Sequence, residues 1–327
     1  MRLIHKLLRA KNMSTLPLTA GELSRRDRIR GALYGLLIGD ALGVPYEFQA
    51  AADIPAAELV EMTPPKGFHR AHHGVPPGTW SDDGAQALLL LESLRHNPRL
   101  ALADYAQLLL RWYQKGYMTP DGRVFDIGMQ TSRALRRLMD GVSPETAGPS
   151  GEYDNGNGSL MRVLPVVFFA QNPLEVEELA MRQSRVTHAH LRAQLCCALY
   201  ALAAWGILHG VTAADAVNAA EELLLERYGD GPHDAELKVV LDGRHDVPGG
   251  SGYVVDSLWS AIKCVLSTQD YETCVRKAIQ LGEDTDTTAC IAGGLAGMLY
   301  GEAALPERWK TTLKGKNIVE QLLDGLA

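Results

Sequence analysis

No two of the five cysteines form a C-x-x-C pair: Cys196 and Cys197 are adjacent, and Cys264, Cys274 and Cys290 fall in stretches of helical pattern. An odd set spaced this way argues against a disulfide framework or a zinc knuckle, and predicts buried, reduced thiols in a cytoplasmic protein. Basic charge is also scarce. Lys and Arg number 32 against 39 Asp and Glu, a net charge of −7, whereas non-specific nucleic-acid binding needs a basic face. No nucleic-acid partner is expected. The longest apolar run, 193–208, falls short of the ~20 residues a membrane span requires, so it reads as a buried helix and no membrane partner is expected. The N-terminal MRLIHKLLRAKNMS is basic but lacks the apolar core and small-residue cleavage site of a secretory signal. Sheet-like alternation does not recur, and no fixed-period repeat is visible.

What is present is a chain of 327 residues, 46% hydrophobic, long enough for a large core. Residues 1–24 are polar, basic and without a sustained period, which suits a disordered or partner-binding arm, or an upstream extension of a chain starting at Met13. From residue 25 to 327 helical spacing dominates, in segments such as RDRIRGALYGLLIGDALG, GAQALLLLESLRH and TTACIAGGLAGMLYG, and predicts an all-α single domain. LPVVFFA (164–170) is the one candidate strand. Glycines 293, 294 and 297 allow close helix packing.

Four stretches carry candidate chemistry. In LGEDTDTTACIAGG (281–294), Asp284 and Asp286 are two apart, a spacing that sends helical side chains to nearly opposite faces. Both carboxylates converge only if they sit on the turn entering the helix, with Thr287 or Thr288 at its first residues. Close anions need positive charge between them. A helix N-terminus supplies some and a divalent cation much more, so cap and metal site both fit. GTWSDDGAQALLLLESL (78–94) repeats the arrangement, with Ser81, Asp82 and Asp83 entering an apolar helix. Four carboxylates and two hydroxyls are an all-oxygen donor set, suited to Mg²⁺, Ca²⁺ or Mn²⁺ rather than zinc. Facing each other, the clusters could hold two ions; two independent caps remain the alternative.

In IGDALGVPYEFQ (38–49), Glu47 follows a proline turn that can aim it into a cleft as a general base, or leave it as a solvated loop residue. EYDNGNGSLMRVLP (152–165) alternates Asn and Gly, implying positive φ and exposed amides of the kind that cradle phosphate, or simply a turn. RVTHAHLRAQ (185–194) offers His188 and His190 for a ligand hydrogen bond or for helix entry.

Taken in order, RIRGALYGLLIGDALGVPYE, GTWSDDGAQALLLLESL, FDIGMQTSRAL, DNGNGSLMRVLP, SRVTHAH, GSGYVVDSLWSAI and GEDTDTTACIAGGLAG resemble the motifs of the ADP-ribosylglycohydrolase family, from about Arg28 to Gly301. The family includes dinitrogenase reductase-activating glycohydrolases and ADP-ribosylarginine hydrolases. The resemblance implies an all-α orthogonal helical bundle with a dinuclear Mg²⁺ or Mn²⁺ centre in a cleft. By motif match the metal ligands are Ser81, Asp82, Asp83, Asp284, Asp286 and Thr287, with Ser81 where the family usually has Thr. Glu47 matches the acid that acts on water or the leaving group, and Asp126 an acid lining the same cleft. The loop Asn155, Gly156, Asn157, Gly158, Ser159 and Met161 is expected to hold the diphosphate and distal ribose, with His188 and Tyr253 facing the ADP-ribose. The implied reaction is release of ADP-ribose from a modified protein side chain by water attack at C1″. Arginine is the preferred linkage; ADP-ribosyl-serine and O-acetyl-ADP-ribose are the alternatives. A fold that only binds ADP-ribose is weighed and set below an enzyme because the acids are intact. A third role is an immunity protein whose arm, residues 1–24, blocks a cognate ADP-ribosyltransferase toxin.

Overall fold

The computed structural model describes residues 23–326, so the expected arm, 1–24, lies almost wholly outside the described residues. Thirteen α-helices and several short 3₁₀ turns make up the described residues. Their only β-type pairings are the isolated bridges Ala50–Gly282 and Gly156–Tyr253. The architecture is all-α around one continuous buried core.

The centre is an antiparallel pair, α1 (Arg25–Gly43) and the helix Thr285–Tyr300. Gly31, Gly35, Gly39 and Gly43 recur every four residues and so share one face of α1. A Cβ on Gly31 would lie 2.2 Å from the Gly297 carbonyl oxygen, on Gly35 2.4 Å from that of Gly293, and on Gly39 2.1 Å from that of Ala289. On Gly43 it would lie 2.4 Å from the Asp286 Cα. Backbone therefore meets backbone along the pair, and the last step of the ladder fixes where Asp286 begins its helix. The expected close approach at 293 and 297 is present, and its partner is the first helix of the domain.

Around the pair lie α2 (Asp82–His96), α3 (Leu102–Lys115), α4 (Met129–Met139), α5 (Pro173–Arg185) and α6 (Leu191–Leu208). They are followed by α7 (Ala213–Tyr228), α8 (Asp234–Asp242), α9 (Val254–Leu266) and α10 (Tyr271–Ile279). With Thr285–Tyr300 as α11, the chain ends in α12 (Glu307–Thr312) and α13 (Lys316–Leu323). Arg30 ties the end of the chain to its start by bonding Glu302 and Glu320, and the Tyr34 hydroxyl donates to Glu320 at 2.6 Å.

Two expectations change. Residues 164–170 form no strand: Leu164–Phe168 is a buried 3₁₀ turn. Pro165 lacks the N–H a sheet ladder needs, and the segment meets only helices. The run 193–208 belongs to α6, which starts two residues earlier and is long and apolar enough to cross a membrane. Nearly all of it is nevertheless buried within the protein, which is the buried helix expected of it. All five cysteines are buried and free.

Candidate active site

Asp40 organises the first wall of the site. Its buried carboxylate accepts the Ser81 N–H at 2.9 Å and the Gly84 N–H at 2.8 Å, so α1 holds the N-terminus of α2. Burial pushes Asp40 up to about 7. Ser81 is the N-cap, its hydroxyl accepting from the Asp83 N–H at 3.2 Å. With the serine acting as cap, Asp82 and Asp83 are released from that duty.

The second wall is the start of α11. Asp284 is the N-cap by position, but its side chain makes no capping bond. It accepts from Asn157 Nδ2 at 2.8 Å instead. The helix begins at Thr285, so Asp286 lies in the first turn rather than before it, and Thr285 donates its hydroxyl to the Gly43 carbonyl at 2.9 Å. The walls meet where the Thr287 hydroxyl lies 3.3 Å from Asp83 Oδ1. Carboxylate oxygens of Glu47, Asp284 and Asp286 lie within 4.8 Å of one another, as do donor atoms of Glu47, His72 and Asp126.

Crowding sets the protonation. Burial first, then the charges of Asp126, Asp284 and Asp82, push Glu47 up to about 10. Asp126 rises to about 6 from burial and the Asp284 charge. Asp82, Asp83 and Asp286 are raised well above the carboxylate range, chiefly by burial. Asp83 Oδ2 and Asp286 Oδ2 are buried without a hydrogen-bond partner, an arrangement costly for a carboxylate. A divalent cation among these oxygens reverses the electrostatics. The residues present therefore fit a hard-cation centre in donor type and in their unsatisfied oxygens.

A cleft of ≈780 Å³ opens over this cluster. Glu47, Asp82, Asp83, Asp126, Asp284 and Thr287 line it, together with Asn155–Gly158, Met161, His188 and Tyr253. Ser81 and Asp286 lie behind that lining. Ser159 is fully buried and bonds Ser184 at 2.8 Å, so its side chain belongs to the packing beneath the loop. Gly156 and Gly158 do not take the positive φ expected of them. Their requirement is steric: a Cβ would lie 2.4 Å from Gln130 Oε1 at Gly156 and 2.8 Å from the His188 ring at Gly158. Nor are all the loop amides exposed. The Gly156 N–H donates to Gln130 Oε1 at 2.7 Å and the Asn157 N–H to the Gly252 carbonyl at 3.1 Å.

Positive φ appears at Phe48, His72, Asp126 and Glu283, each at or beside an acid of the cluster. Such conformations cost roughly 1–3 kcal/mol apiece and gather where geometry must be held. His72 was not foreseen: its Nε2 lies 2.6 Å from Glu47 Oε2, and only the run HRAHHG marks it in the sequence. His190 caps α6, accepting the Arg192 N–H at 3.2 Å.

A family model described as ADP-ribosylglycohydrolase matches residues 22–327. ADP-ribosylarginine hydrolase Tri1 of Pseudomonas putida is 32% identical over 92% of this chain and 78% of its own. ADP-ribosyl-[dinitrogen reductase] glycohydrolase of Rhodospirillum rubrum is 28% identical over 93% of this chain and 96% of its own. A solved structure described as an ADP-ribosylglycohydrolase-related protein complex superposes with TM-score 0.74 at 35% identity, covering 92% of this chain and 97% of that one. Matched over nearly its whole length in sequence and in shape, the chain belongs to the ADP-ribosylglycohydrolase family of glycosidases.

Proposed function

We propose that the chain releases ADP-ribose from ADP-ribosylated arginine side chains of proteins in the cytoplasm, using two Mg²⁺ or Mn²⁺ ions. The observation that carries this reading is the pair of buried, unpartnered oxygens, Asp83 Oδ2 and Asp286 Oδ2, on two acidic helix starts that face one cleft. Asp82, Asp83, Asp284, Asp286 and Thr287, with Ser81 behind them, would hold the ions. When bound, the ions would orient the ribose hydroxyls and stabilise charge near the reacting carbon.

The chain's own residues supply the proton handling. Glu47 is buried, faces the cleft and is held by His72. With cations bound and its own proton expelled, it would orient a water and take that water's proton as the water oxygen bonds C1″. The C1″–N bond breaks, its electron pair goes to the guanidino nitrogen, and that nitrogen takes up a proton. The products are ADP-ribose and unmodified arginine. Asp126 lies beside Glu47, with donor atoms of Glu47, His72 and Asp126 within 4.8 Å of one another. Arginine is favoured over serine because the relative with the 32% match is named as an ADP-ribosylarginine hydrolase.

The test incubates the purified protein with arginine- and serine-linked ADP-ribosyl peptides in Mg²⁺, Mn²⁺ or EDTA, and measures free ADP-ribose. Metal-dependent release from the arginine peptide is expected. Release from the serine peptide alone, or undiminished release in EDTA, contradicts the reading.

A further inference from the structure

A fully buried arginine lies beneath the cleft with no carboxylate bonded to it. Arg162 donates Nε to Gln183 Oε1 at 2.9 Å, Nη1 to Gln86 Oε1 at 2.6 Å, and Nη2 to the Gln183 carbonyl at 3.1 Å and to Thr187 Oγ1 at 2.7 Å. Its Cζ lies 5.5 Å from the Tyr105 ring centroid. A guanidinium can only donate, and that fact propagates in two directions. Gln86 must turn its oxygen to Arg162, which leaves its amide to donate to Asp82 Oδ2 at 2.8 Å. Thr187 must accept from Arg162, which leaves its single hydroxyl proton for His188 Nδ1, 2.8 Å away.

The consequence falls on His188. Its Nδ1 accepts, so in the neutral ring the proton sits on Nε2. The ring is neutral: burial and the Arg162 charge push His188 down to about 3. Nε2 lies at the cleft, where a Cβ on Gly158 would come within 3.2 Å of it, and no described residue bonds it. Two amides of the adjacent loop, those of Gly156 and Asn157, are already bonded inside the protein, so His188 Nε2 stands beside Gln130 Nε2, which is also without a partner, among the donors left at this end of the cleft.

We infer that Arg162, acting through Thr187, is a positioning residue that locks His188 as a neutral Nε2–H donor toward an acceptor oxygen of the ADP-ribose that the family resemblance already sets against it. The ligand half rests on the function proposed above; the locked tautomer does not. Through Gln86 the same guanidinium also braces Asp82, so one buried cation sets the polar groups at both ends of the cleft.

The experiment records imidazole ¹⁵N–¹H correlations of the whole protein, free and titrated with ADP-ribose, with His188 assigned by its loss in His188→Gln. The free protein is expected to carry the His188 proton on Nε2, and the Nε2 resonance to move on saturation. Thr187→Val removes the hydroxyl while Arg162 keeps three acceptors. It is expected to give mixed tautomers and about tenfold weaker ADP-ribose binding, the size of one lost hydrogen bond. Thr187→Ser is expected to restore the single tautomer. A proton on Nδ1 in the free wild-type protein overturns the relay, as does an unchanged Nε2–H tautomer in folded Thr187→Val. An Nε2 signal unmoved in protein saturated with ADP-ribose overturns the ligand role. Absence of any ADP-ribose binding overturns the function proposed above and the ligand role with it, while the tautomer of the free protein still decides the relay.

Discussion

Glu47 reaches the cleft because Pro45 turns the chain at the end of α1 and the next residue, Phe48, takes a positive φ of 62°. In the metal-free protein burial and neighbouring acids hold its proton, which bound cations would expel, and His72 fixes its direction. Glu47→Gln keeps the shape and removes the base. It should leave ADP-ribose binding intact and slow turnover by about 10²–10⁴-fold, the usual contribution of a positioned base; single-turnover kinetics with a binding titration check both. Unaltered turnover would remove Glu47 from the chemistry. Much of this was legible from residue type, since an acid on a turn after a helix-breaking proline is conspicuous. Asp40 is an acid among small residues in the sequence, and nothing in its neighbourhood names the two α2 amides it holds. Arg162 and Thr187 were silent for the same reason: buried hydrogen-bond partners lie far apart in sequence, and no local pattern encodes them.

At the scale of elements, periodicity located the long helices well, because a stripe of apolar positions repeats with the helical turn. The short helices α12 and α13, six and eight residues long, leave little room for a period to establish itself. The candidate strand at 164–170 failed because apolar content alone does not choose between states. The α1 glycine ladder is written openly in the sequence, yet its meaning depends on the partner it meets. Gly43→Ala would place a methyl 2.4 Å from the Asp286 Cα, and Gly31→Ala a methyl 2.2 Å from the Gly297 carbonyl oxygen at the far end of the pair. Both should destabilise the fold by about 1–3 kcal/mol. Only Gly43→Ala should also shift the start of α11 and cut kcat/KM on the order of 10²-fold. Thermal melts and steady-state kinetics on the two variants check this, and equal losses of activity would deny the ladder its part in placing Asp286.

The whole molecule brings together acids from residues 40–47, 82–83, 126 and 284–286. Sequence spacing paired them only within each stretch; that separate stretches share a cleft came from resemblance and then from coordinates. Their protonation gives the convergence a measurable sign. Asp126 is raised to about 6, Asp40 to about 7 and Glu47 to about 10, against about 4 in the unfolded chain. The stability linked to such groups is present below pH ~4 and lost as pH rises through the folded values. The metal-free protein at pH 6–7 thus keeps protons that bound cations would expel. The most direct measurement is calorimetric titration of Mn²⁺ into metal-free protein at pH 6.5 in buffers of different ionisation enthalpy. Two ions per chain with release of protons are predicted for the wild type, and loss of at least one ion in Asp286→Asn. Absence of Mn²⁺ binding, or binding undisturbed by Asp286→Asn, would contradict the shared metal centre.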